Sequence, residues 1–287
     1  MGDPWAFRTN GAYFLVGTTS EHEGFKMYTS PNLAHWKLLG WVLKGQPGFW
    51  ARDLFWAPEV HAYRGRYYMV YRACSQASRC RSYCLGWQSA TSRKVLTRAF
   101  IHRGSTPAIP PYLFFSRNGG HSYASGEVYG VALAVDLSMP IGTPKLMIKA
   151  SQPWKLQHPG VNQCNEGPTV FRHGGLYYMT YSANDTANPD YGIGYATAHA
   201  PLGPWAKSEA NPILRTIPGT GISGPGHNSI VASPNGRELW IVYHTHADPA
   251  HPSEDRTVNA DRITFGPDGS MHVFPTRSPQ PFPTGVP

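Results

Sequence analysis

The stretch Gly174-Gly175-Leu176-Tyr177-Tyr178-Met179 decides the fold, because it joins a glycine turn to an aromatic, alternating run. Such a pattern reads as a tight hairpin turn feeding a β-strand. The same form recurs at Asn10-Gly11-Ala12-Tyr13-Phe14-Leu15, Arg64-Gly65-Arg66-Tyr67-Tyr68-Met69 and Asn235-Gly236-Arg237-Glu238-Leu239-Trp240. Gly11 to Gly65 spans 54 positions, Gly65 to Gly175 spans 110 and Gly175 to Gly236 spans 61. The double interval requires a further copy, and Asn118-Gly119-Gly120 falls midway.

Units of about 55 residues, each long enough for a four-stranded sheet, fill the chain and predict an all-β, five-bladed β-propeller over residues 1–287 as a single domain. Composition agrees. Of 287 residues, 41% are hydrophobic and 15% charged, with 30 Gly and 27 Pro, which supports a packed core rich in turns and argues against disorder. Helical periodicity is poor, and Ala90 to Phe100 comes nearest to it. The N-terminal strand is expected to complete the last blade.

The net charge of +8 permits attraction to acidic polymers but says nothing of fold, and the basic residues are scattered apart from the neighbourhood of Arg79 and Arg81. No nucleic-acid motif accompanies it, and no apolar run long enough to span a membrane occurs. Nucleic-acid and membrane partners are therefore not expected, and the chain is expected to act as a monomer. Cys74, Cys80, Cys84 and Cys164 allow three complete pairings, and their spacing is not that of a zinc knuckle. Local disulfides and buried thiols remain equal alternatives. The expected location is outside the cell, with any leader absent from this numbering, and the cytoplasm is the alternative.

Propeller strands bring distant residues to one central cavity, so chemistry is sought just ahead of each glycine-turn strand. Asp3-Pro4, Trp56-Ala57-Pro58-Glu59, Ile109-Pro110-Pro111, Asn165-Glu166-Gly167-Pro168 and Gly224-Pro225-Gly226-His227-Asn228 occupy those places. Two carboxylates across a cavity suit glycosidic cleavage with inversion, in which one activates water and the other protonates the leaving oxygen, about 6.5–9.5 Å apart. Asp3 is read as the base and Glu166 as the acid. The plainer alternatives are a terminal turn for Asp3 and a capping carboxylate for Glu166. Glu59 is read as a substrate contact or an interior acceptor. Trp56 and, after it, Trp5 offer flat faces for a sugar ring, although most aromatic residues here should fill blade cores.

Taken in order, these segments resemble family 43 glycoside hydrolases. Further matching segments are Ser30-Pro31-Asn32-Leu33-Ala34-His35-Trp36, Phe55-Trp56-Ala57-Pro58-Glu59-Val60 and Tyr177-Tyr178-Met179-Thr180-Tyr181-Ser182. The resemblance implies a five-bladed propeller acting on arabinose- or xylose-containing oligo- and polysaccharides, with Asp3 as base and Glu166 as acid. It also places His227 near the axis, where a water-coordinated ion such as calcium is held, and Arg256 against the base and sugar. The chemistry itself requires no cofactor. One position departs from the family: Pro110 stands where a third carboxylate raises the pKa of the acid. The expected activity is release of α-L-arabinofuranosyl units with inversion. The alternatives are a β-D-xylosidase and a weakly active or inactive carbohydrate-binding propeller.

Overall fold

The computed structural model describes residues 1–75, 84–87, 110–117, 126–155, 164–278 and 280. The chain folds as an all-β protein of the β-propeller type. Five antiparallel sheets are present among the described residues. Sheet 1 holds β1 (Gly2–Thr9), β2 (Ala12–Thr18), β3 (Gly24–Ser30) and β4 (Lys37–Lys44). β5 (Asp53–Tyr63), β6 (Arg66–Cys74) and β7 (Cys84–Trp87) form sheet 2, and β8 (Tyr112–Arg117), β9 (Glu127–Leu133) and β10 (Pro140–Lys149) form sheet 3. In sheet 4 lie β11 (Asn165–His173), β12 (Leu176–Ala183), β13 (Gly192–Ala198) and β14 (Ala206–Lys207). Sheet 5 contains β15 (Gly226–Ala232), β16 (Leu239–His246), β17 (Arg256–Phe265) and β18 (Met271–Val273).

The four glycine turns at Gly11, Gly65, Gly175 and Gly236 each join the first and second strands of a sheet. Both residues of Asn10-Gly11, Arg64-Gly65 and Gly174-Gly175 have φ between +49° and +89°, the left-handed conformation that two-residue hairpins require. Asn118-Gly119-Gly120 and Ala90–Phe100 lie outside the described residues, as do Arg79, Arg81 and Cys80. Cys74 is disulfide-bonded, whereas Cys164 is a buried thiol.

Burial falls from the middle strands outward. β12 is buried along nearly its whole length and β16 likewise, while the outer β4 and β10 are mostly exposed. That gradient follows from sheets stacked face to face around an axis, which covers both faces of a middle strand and leaves outer strands wet. Separate apolar clusters fill the interfaces. Phe114, Val128, Val170 and Met179 join sheets 3 and 4; Tyr178, Ile193, Ile241 and Ile263 join sheets 4 and 5; Tyr13, Leu15, Val231 and Trp240 join sheets 5 and 1. Phe25, Phe55 and Tyr71 link sheets 1 and 2, and Val70, Leu113 and Val131 link sheets 2 and 3. Each fully buried large side chain contributes about 1.5–3 kcal/mol by leaving water.

Sheet 5 is built wholly from β15 to β18, which corrects the expectation that the N-terminal strand completes it. Side-chain hydrogen bonds tie the first strand to the last sheet instead. Ala6 N donates to Ser229 Oγ at 2.9 Å, and Asp3 N donates to His244 Nδ1 at 3.1 Å.

Candidate active site

A recurring irregularity positions the site. In four sheets the first strand carries a bulge near its start, with two residues opposite one on the second strand. The extra pairs are Asp3-Pro4, Ala57-Pro58, Gly167-Pro168 and His227-Asn228. The leading residue of each pair is left-handed, with φ of +50° at Asp3, +50° at Ala57, +59° at Gly167 and +52° at His227. A non-glycine residue in that region costs about 1–3 kcal/mol, and such residues cluster at functional sites. By this register Gly2, Trp56, Glu166 and Gly226 are equivalent to one another, as are Asp3, Ala57, Gly167 and His227.

In sheet 3 the residue ahead of Pro110 lies outside the described residues. β8 pairs with β9 without a register shift from Tyr112↔Ala132 to Arg117↔Glu127, and Leu133 N donates to Pro111 O at 2.7 Å. A pyrrolidine ring fixes φ near −65°, so half-buried Pro110 cannot take the left-handed conformation found at Asp3, Ala57, Gly167 and His227.

Asp3 is 6% exposed and enclosed by donors. Thr18 Oγ1 donates to Oδ2 at 2.5 Å, Arg256 Nη1 lies 3.2 Å from Oδ1, and His227 Nδ1 lies 3.1 Å from Oδ1. Burial alone would raise its pKa, but the charges of His227 and Arg256, with the Thr18 hydrogen bond, outweigh that and hold it well below the usual carboxylate range. Asp3 is thus ionised at any pH near neutrality.

Arg256 starts β17 and is 9% exposed. Its Nη2 is 3.2 Å from Glu254 Oε2 and its Nε donates to Glu254 O at 3.1 Å. Burial opposes its charge, yet Asp3 and Glu254 more than offset this and raise its pKa. The guanidinium needs Gly2 beside it, because a Cβ on that residue would come within 2.3 Å of Arg256 Cζ.

Glu166 is the second residue of β11 and half-buried. Tyr191 donates its hydroxyl to Glu166 Oε1 at 2.9 Å. Tyr191 is fully buried, and burial together with the negative charges of Glu166 and Asp3 pushes its phenol far above the ordinary value, so it remains a neutral donor. Tyr191 stacks on His244, which accepts the N–H of Asp3, and Asp3 contacts His227 and Arg256, so the structure brings Asp3, Glu166, His227 and Arg256 into one cluster.

His244, on β16 opposite Gly226, was not signalled by any motif. Burial, aided by Arg256, lowers its pKa well below the ordinary histidine value, and its Nδ1 accepts the N–H of Asp3. The neutral tautomer with its proton on Nε2 follows. Its ring stacks on Tyr191 at 5.7 Å and 6°. Tyr191 and Thr18 also escaped sequence reading, since they come from a loop and a second strand without a distinctive pattern, and Ser182, although inside the matching Tyr177–Ser182 segment, was given no role.

Two expected substrate contacts lie elsewhere. Trp5 is 8% exposed, donates its indole N–H to Val60 O at 2.9 Å and packs on His61 at 4.7 Å. It fills the interface of sheets 1 and 2, which corrects the expectation of an open stacking face. Glu59 is 1% exposed and 2.8 Å from His61 Nε2. Of its two readings, the interior acceptor is the one the geometry supports. Trp56, by contrast, is the bulge equivalent of Glu166; the Arg72 guanidinium sits 4.1 Å from its ring centroid, and its buried Nε1 has no hydrogen-bond partner among the described residues.

The expected ion meets a sparse donor set. Among the described residues no group of three or more His, Cys, Asp or Glu side chains forms a cage. His227 directs Nδ1 to Asp3, which leaves Nε2 as the nitrogen with a lone pair when the ring is neutral. Calcium prefers oxygen donors, so this residue fits only an ion whose shell is otherwise water.

The model of glycosyl hydrolases family 43 matches residues 1–271. The chain belongs to this family. It is 27% identical to an extracellular exo-alpha-(1->5)-L-arabinofuranosidase of Streptomyces avermitilis over 301 aligned positions, covering 93% of this chain and 60% of that protein. Similar solved structures include a thermostable family-43 glycoside hydrolase, at 38% identity and TM-score 0.85, covering 99% of this chain and 96% of the other. Another, an endo-1,4-beta-xylanase from Bacteroides thetaiotaomicron VPI-5482, has 26% identity and TM-score 0.80, with 96% and 94% covered. This family 43 chain spans about 60% of the length of the first curated relatives it matches. Among its described residues no helix is long and apolar enough to cross a membrane.

Proposed function

We propose that this family 43 chain is a five-bladed propeller that hydrolyses terminal α-L-arabinofuranosyl units with inversion. The observation that carries the reading is that Tyr191, bonded to Glu166 at the bulged end of β11, stacks on the His244 that accepts the N–H of Asp3 at the bulged end of β1. In this reading the five sheets are the five blades of one domain. Asp3, ionised and facing Arg256, removes a proton from water as that water attacks the anomeric carbon. Glu166 gives its proton to the glycosidic oxygen as the bond to the anomeric carbon breaks, so each turnover moves one proton to Asp3 and one from Glu166. Arg256 keeps the base charged and orients a sugar hydroxyl, and Trp56 supplies a wall for the ring.

A water-coordinated calcium beside His227 is part of the proposal. Nε2 of His227 would be its protein donor, and its charge would add to the positive field around Asp3. The arabinose assignment draws support from the Streptomyces relative. That relative is extracellular, which supports secretion of this chain. The xylanase likeness favours a β-D-xylosidase as a second reading, and Pro110 favours a binding propeller as a third.

Initial rates on aryl α-L-arabinofuranosides and β-D-xylopyranosides separate the first two. Higher kcat/KM on the xyloside overturns the sugar assignment. Calorimetric binding of arabino-oligosaccharides, with no sugar released at high protein concentration, supports the third.

A further inference from the structure

The loss of a carboxylate at position 110 leaves the question of what orients the acid, and the hydrogen bonds around Glu166 supply an answer. The backbone N–H of His227 donates to Ser182 Oγ at 2.6 Å. Because that N–H can only donate, Ser182 turns its own hydroxyl proton elsewhere. Tyr191 donates to Glu166 Oε1 at 2.9 Å. Two donated bonds, His227 N–H to Ser182 and Tyr191 O–H to Glu166, therefore lie between the bulge of sheet 5 and the carboxylate of sheet 4.

The tyrosine ring is fixed as firmly as its hydroxyl. One face stacks on His244 at 5.7 Å. Gly226, the equivalent of Glu166 in sheet 5, gives it room, since a Cβ there would fall 1.8 Å from Tyr191 Cε1. His227 meanwhile holds Asp3 through Nδ1, and its backbone N–H holds Ser182.

We infer that Tyr191 is the positioning residue for the general acid, replacing the orienting role of a carboxylate at Pro110. Its hydroxyl proton occupies Oε1, so the acidic proton of Glu166 resides on Oε2, the oxygen that delivers it to the leaving group. The inference rests on the proposed role of Glu166 as acid. A donated hydrogen bond favours the ionised carboxylate, so this arrangement gains orientation at the expense of proton affinity.

The test compares the wild type with Tyr191→Phe on two α-L-arabinofuranosides, one with a dinitrophenyl leaving group and one with an unactivated sugar alcohol. Phenylalanine keeps the ring stacked on His244 and removes only the donor. On the unactivated substrate kcat is expected to fall about 10–100-fold with KM little changed, while the dinitrophenyl substrate, which needs no proton, loses no more than about twofold. The basic limb of the kcat/KM profile is expected to move to higher pH. An equal loss on both substrates, or an unmoved limb, overturns the inference and leaves the hydrolase reading standing. Wild-type protein that cleaves neither substrate overturns both. Should Tyr191→Phe fail to fold by circular dichroism, Gly226→Ala, whose methyl group displaces the Tyr191 ring, decides, with the same leaving-group selectivity supporting the inference and a uniform effect overturning it.

Discussion

Replacing Arg256 by Met removes the guanidinium that faces Asp3 while keeping the length of the apolar stem. Asp3 and Arg256 are almost wholly buried, so the carboxylate left behind has lost its strongest permanent partner and has little water to replace it. Breaking a buried pair from one side costs about 3–5 kcal/mol, and His227 and Thr18 remain to hold the loss toward the lower value. For a chain of this size each kcal/mol lowers Tm by roughly 2–4 °C, so a fall of about 6–12 °C is expected at pH 7. The sign with pH follows from the depressed pKa of Asp3. Its ionised contribution is complete above the unfolded value of 3.8 and is lost as pH falls through the lower folded value. The difference between wild type and Arg256→Met should therefore narrow below about pH 4. Thermal unfolding by calorimetry across pH 3–8, with Asp3→Asn completing a double-mutant cycle, measures it. A coupling below about 0.5 kcal/mol, or a Tm difference that widens on acidification, refutes the reasoning.

Gly226→Ala places a methyl group within the Tyr191 ring and should cost at least about 1–3 kcal/mol, measured by urea unfolding, with cleavage of unactivated substrates reduced in the same way as in Tyr191→Phe. Lys155 is fully buried, bonded to Asn165 Oδ1 and 3.9 Å from the Tyr181 ring centroid, and burial lowers its pKa well below the usual lysine value. The unfolded chain therefore binds more protons, wild-type stability rises with pH toward the unfolded value of 10.5, and Lys155→Met should abolish that rise in denaturation midpoints. If Pro110 occupies the place the resemblance implies, Pro110→Asp sets a carboxylate by the acid, and the basic limb of kcat/KM should move to higher pH, as read from initial rates. Trp56→Ala should raise KM several-fold and leave the pH limbs in place.

The glycine turns made most of the architecture legible, because left-handed hairpin residues leave a local mark at Asn10-Gly11, Arg64-Gly65 and Gly174-Gly175. The bulges were half visible. Asp3-Pro4, Ala57-Pro58, Gly167-Pro168 and Pro110-Pro111 share a proline after the critical position, yet only the structure shows that Pro110 cannot adopt the φ of its counterparts. Asp3, Glu166, His227 and Arg256 could be picked out because they stand at matched places in the repeat or in the resemblance. Tyr191, Ser182 and His244 could not, since their roles depend on which loop and second strand pack behind the carboxylates. Trp5 and Glu59 misled for the converse reason. Residue type marks an aromatic or acidic group, but neighbours such as Val60 and His61 decide whether it faces a cavity or a sheet interface.

The central claim is that Asp3 and Glu166 work from opposite sides of one sugar. Time-resolved proton NMR of wild-type protein with an aryl α-L-arabinofuranoside observes the first anomer released, before mutarotation. The account predicts the β-anomer first. An α-anomer appearing first would contradict it, because retention needs a covalent intermediate on a carboxylate rather than direct attack by water.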